Sequence, residues 1–147
     1  MPYIVLSVIA LGSAILLVDK RRLREFYPTF LFVIVAGHVF DRFAVYFFKL
    51  YDYTDPLLSN HAATLMIHTV LFPPLAVVYV QYAHRFNFWA LTFLGAMAMT
   101  FIEWWFVVDG ELTYYRWNLL LSFIGYLILE LSAYIQYRWY LRQANIT

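Results

Sequence analysis

Five apolar windows, at residues 3–18, 27–50, 62–83, 88–108 and 117–137, divide most of the chain into segments near the roughly 20 residues that carry a helix across a bilayer. In lipid every backbone N–H and C=O must be satisfied within the segment, so the windows predict helices. No strand alternation or Asn-Gly hairpin signal competes with that reading. The expected fold is all-α, a polytopic bundle of five transmembrane helices forming one domain over residues 1–147. The connections DKRRLREF, YDYTDPLLSN, HRFN and DGELTYYR leave no room for a soluble domain. Composition agrees: 64% of residues are hydrophobic and 13% charged, too little polar surface to coat a soluble globule.

The first window has no positive residue before it and no small-residue cleavage site after it, so it is expected to stay as a helix. Lys20, Arg21, Arg22, Arg24, Arg85, Arg138 and Arg142 fall on one side of this topology, with only Lys49 and Arg116 opposite. The positive-inside rule then places the N-terminus outside and the C-terminus in the cytoplasm. His84, next to Arg85, is expected to be solvated at the inner interface. A net charge of +1 without long charged runs gives no footprint for nucleic acid. The lipid bilayer is the expected partner, with a second membrane protein or another copy of the chain as further candidates. With no cysteine, disulfides and thiolate metal sites are excluded.

Ionisable groups at membrane depth cost roughly 2.5 to 3.5 kcal/mol each, so they persist when paired, buried in the bundle or used. The candidates for a polar core that binds are His38, Asp41, Arg42, His68, Glu103 and Glu130. At ~1.5 Å of rise per residue, Glu103, His68, Arg42 and Asp41 fall ~7 to ~13 Å below the outer helix ends. They form one outer layer. By the same count His38 and Glu130 lie ~18 and ~20 Å deep, as a second layer near the midplane. Arg42 keeps its charge at any ordinary pH, which predicts an ion pair with Glu103, or with Asp41 if the helix is rotated, while Asp41 otherwise holds His68 or His38.

The functional reading is a wet polar pocket open to the outer side, and the plainer one is a self-neutralised packing cluster. His38, Asp41, His68 and Glu103 also offer the N and O ligands of a catalytic metal, so the alternative function is a metal-assisted intramembrane enzyme. Against it, HExxH and paired ExxH motifs are absent, and Arg42 would repel a cation. No catalytic residue, metal or other cofactor is assigned. Pro73 and Pro74 should kink the third helix, and Gly95, Ala96 and Ala98 should allow close helix approach. Asn118, Ser122, Tyr126, Glu130 and Tyr134 recur every four residues, a stripe expected to face the bundle. Tyr114, Tyr115 and Trp117 read as interfacial anchors.

In DKRRLREFYPTFLF, FPPLAVVYVQY and FIEWWFVVDGELTYYRWN the chain resembles a family of small uncharacterised membrane proteins from Gram-positive, often spore-forming, bacteria. The resemblance implies five helices and a bacterial plasma membrane. It supplies no activity and no catalytic residue. The function expected is a non-enzymatic bundle whose polar core binds or passes a small solute or proton, or serves a larger membrane assembly.

Overall fold

The computed structural model describes residues 2–54, 60–83 and 85–144; His84 and Asp55 lie outside them, as does the side chain of His61. Helix α1 spans Pro2–Leu17. A short 3-10 turn, Lys20–Arg22, leads into α2, Leu23–Asp41, which widens into a π turn over Arg42–Phe47. After strand β1, Tyr51–Tyr53, the chain forms α3, Asn60–Met66, a π segment, Ile67–Leu71, and α4, Phe72–Tyr82. Then come α5, Phe88–Val108, strand β2, Leu112–Tyr114, and α6, Leu119–Ala144.

Four helical stretches are long and apolar enough to cross a membrane: Lys20–Phe47, Ala62–Tyr82, Phe88–Val108 and Leu119–Ala144. α1 is apolar but shorter. α6 packs along α5 and against α2, while α2 and α1 both pack on α4. Large apolar side chains such as Ile15, Val35, Phe101 and Ile128 point outward, as lipid-facing residues do.

The two prolines of α4 set the local geometry. Lacking N–H groups, Pro73 and Pro74 cannot close the α-helical bonds of the preceding turn, and the backbone widens there: Phe72 N–H reaches Ile67 O, five residues back. His68 sits inside this π segment. A second five-residue bond, Phe48 N–H to Phe43 O at 2.8 Å, follows Asp41 on α2. Of the two inward-facing polar residues, Asp41 thus borders an irregular turn and His68 lies within one.

One element departs from the sequence expectation. β1 and β2 pair antiparallel, with Tyr51 opposite Tyr114 and Tyr53 opposite Leu112, where only irregular connections were expected. Gly110, at φ +77°, turns the chain out of α5 in the left-handed conformation that glycine adopts without strain. Thr54 N–H to Glu111 O and Tyr115 N–H to Leu50 O, both 2.9 Å, continue the pairing beyond the strands.

The opposite end is tied by polar bonds. Asp19 N–H donates to Gln81 Oε1, and Gln81 Nε2 donates to Leu17 O, both at 2.8 Å. Arg22 bridges Glu25 at 2.7 Å and donates to Tyr137 Oη at 2.6 Å. The first connection and the ends of α4 and α6 therefore share one end of the bundle, and the two-stranded sheet caps the other.

Candidate functional site

Asp41 closes α2 facing inward and is 1% exposed. Its carboxylate gathers three groups from two other elements. Tyr51 Oη donates to Oδ1, Tyr53 Oη donates to Oδ2 at 2.9 Å, and His68 Nε2 lies 2.8 Å from Oδ2. The alternation of β1 sends both tyrosines down to the same carboxylate. His68 is 5% exposed, its ring set edge-on to Phe72 and His38. Gly37, one turn before Asp41, makes room for that ring, since a Cβ there would overlap it.

Glu103, on α5, holds a second network. Its Oε1 accepts from Tyr114 and from Ser122 at 2.7 Å, and its Oε2 accepts from Tyr126 at 2.6 Å. Trp117 Nε1 donates to Ser122 Oγ at 2.7 Å and holds that hydroxyl in place. All three contacts to the carboxyl come from hydroxyl donors. Among the described residues no Lys or Arg pairs with it.

The two networks line one cavity of about 300 Å³, at the low end of the roughly 300–1,000 Å³ typical of ligand pockets. Phe32, Phe40, Phe72 and Phe106 supply apolar wall, Asp41, His68 and Glu103 the polar wall, and Tyr51, Tyr53 and Leu112 of the sheet its cover. Gly125 of α6 faces it with open space where a Cβ would be. In the cover, burial first and then the neighbouring Asp41 charge push the Tyr51 and Tyr53 hydroxyls above the ordinary tyrosine range. Burial and Glu103 do the same to Tyr114. All three stay protonated as donors.

Of the six residues expected to form the polar core, Asp41, His68 and Glu103 meet at this cavity. His38 stands beside it, with Nε2 3.4 Å from Thr69 Oγ1 and its ring 5.5 Å from that of His68. Glu130, expected with His38 in the deeper layer, is not among the residues that line the cavity. It lies on the α5–α6 seam against Gly95, where its Oε2 is buried without a hydrogen-bond partner.

The expected Arg42–Glu103 pair does not form. One residue turns an α-helix by about 100°, so with Asp41 facing inward Arg42 is rotated out of the bundle. Its guanidinium lies over the Tyr46 ring at 5.9 Å, and the side chain is exposed. Arg42→Met should therefore shift stability by less than about 0.5 kcal/mol, and its effect should add to that of Glu103→Gln. A double-mutant cycle read by unfolding in detergent checks this, and a coupling above about 1 kcal/mol would restore the pair.

The four residues expected as a metal set lie at or beside the cavity, but among the described residues no three His, Cys, Asp or Glu side chains are placed to hold one ion. Tyr51, Tyr53 and Tyr114 are the functional candidates the sequence reading missed. Their signal, the alternation of a polar residue between two apolar or aromatic ones in YDY and LTY, is only three residues long in each strand. Ser122 and Tyr126 were visible as part of the α6 stripe, although Asn118 of that stripe is exposed and caps the Leu121 N–H at 3.0 Å.

No protein-family model, curated protein or solved structure matches this chain.

Proposed function

We propose that this chain is a bacterial plasma-membrane protein that binds a small, largely apolar solute in the cavity beneath the two-stranded sheet. The observation that carries the reading is the meeting of an aromatic-walled space of about 300 Å³ with two hydroxyl-braced carboxylates at one end of the bundle. Apolar walls with a few fixed polar groups are what a small-molecule site requires. In this reading α1 is a fifth span, the N-terminus is outside and the C-terminus is cytoplasmic. It also places the chain in the family of small five-helix membrane proteins that its sequence resembles.

Two observations support the orientation. Lys20, Arg21, Arg22, Arg24, Arg138 and Arg142 belong to the end tied by Gln81 and Tyr137, whereas Asp52, Asp109 and Glu111 belong to the sheet end. The bias fits a cytoplasmic basic end. Reporter tags in the first connection and at the C-terminus should both read cytoplasm. A C-terminal tag reading outside would reverse the orientation.

The binding reading is tested at Gly125. Leucine there fills open space and replaces a mid-helix glycine, so Gly125→Leu should hold or raise the unfolding temperature. The same variant should lose saturable uptake of small lipophilic probes by the purified protein. Unchanged saturable binding in Gly125→Leu would contradict the cavity as the site.

A further inference from the structure

The cavity wall carries a charge imbalance. Asp41 faces His68 as well as two hydroxyls, but the partners of Glu103 are neutral hydroxyls only. Neither Lys nor Arg lines the space, and Arg42, the nearest basic residue in sequence to Asp41, is turned away. Hydroxyl dipoles offset a buried carboxylate only in part, so an occupant bearing positive charge gains there what a neutral one does not. An anion would be repelled.

The wall chemistry narrows the cation. Phe32, Phe40, Phe72, Phe106, Trp117 and Tyr126 present ring surface, which attracts a poorly hydrated organic cation and cannot replace the water shell of a hard metal ion. Hydrogen-bond capacity is also left over. Three donors reach each carboxylate, which has about four lone-pair sites. Remaining acceptors beside aromatic rings suit an ammonium that still carries N–H.

We infer that the cavity takes protonated lipophilic amines, with Glu103 as the counter-charge and the aromatic wall around the apolar body. This rests on the binding reading above and names its ligand class.

The test compares three phenylalkyl probes on the full chain in zwitterionic detergent: phenethylamine, its hydrocarbon isostere propylbenzene, and the slightly larger anion hydrocinnamate. Affinity is read by calorimetric titration, with Gly125→Leu subtracting partition into micelles. Phenethylamine should bind about tenfold or more tighter than propylbenzene, and hydrocinnamate should not bind. Glu103→Gln should lower amine affinity about tenfold or more and so erase the advantage of the amine over the hydrocarbon. If that variant does not fold, the ranking of the three probes on the unmodified chain decides. Equal binding of amine and hydrocarbon would overturn the amine assignment and leave the cavity as a general apolar site. No Gly125-sensitive binding of any probe would overturn the binding reading as well.

Discussion

Replacing Asp41 with leucine is expected to cost the folded chain roughly 3 to 5 kcal/mol, the range for breaking a buried charged network from one side. The substitution strands two tyrosine hydroxyls and a histidine nitrogen that now converge on two oxygens of a 1% exposed side chain. An ordinary interhelical hydrogen bond in a membrane averages only about 0.6 kcal/mol. The larger figure follows because each orphaned donor stays buried away from water and the sheet loses its attachment to α2. Adding Tyr51→Phe and Tyr53→Phe to Asp41→Leu should recover most of the loss. Equilibrium unfolding in denaturing detergent measures both, and a loss below about 1 kcal/mol would mean that Asp41 does not anchor the sheet.

The second large effect is expected at Gly37. A methyl group there overlaps Nδ1 and Cγ of His68, whose ring is confined by Phe72, His38 and Asp41. Overpacking of this kind costs about 1 to 3 kcal/mol, more than the gain of about 1 kcal/mol that alanine brings over glycine inside a helix. Gly37→Ala should therefore destabilise. Gly12→Ala, with nothing within 4 Å of its Cβ, should not. In a His68→Ala background Gly37→Ala should turn neutral or stabilising, and persistence of the loss would place the strain elsewhere.

The helices were legible because the requirement that backbone be satisfied in lipid leaves apolar windows few alternatives. Pro73 and Pro74 marked a break, but the π segment that carries His68 depends on how the backbone accommodates two missing donors, which composition does not specify. Asp41, His68 and Glu103 were legible as polar groups at similar depth. Their partners were not, because depth fixes height along a helix and leaves its rotation open. A rotation of one residue step decides whether Asp41 or Arg42 faces inward, and packing of α2 on α4 and α6 makes that choice. The tyrosine cover was hidden for a different reason. Two three-residue strands, Tyr51–Tyr53 and Leu112–Tyr114, lie far apart in sequence and stabilise each other only once α2 and α5 bring them together.

In the proposed orientation the space beneath the sheet communicates with the outer aqueous face. The chain contains no cysteine, so Gly125→Cys, which has open space around its side chain, gives a single reporter inside the cavity without background. Ile135→Cys, on an exposed part of the same helix, serves as the lipid-facing control. In oriented vesicles a small membrane-impermeant thiol reagent added to the outer face should modify Gly125→Cys and spare Ile135→Cys. Modification from the cytoplasmic face alone, or from neither face, would contradict an outward-facing cavity.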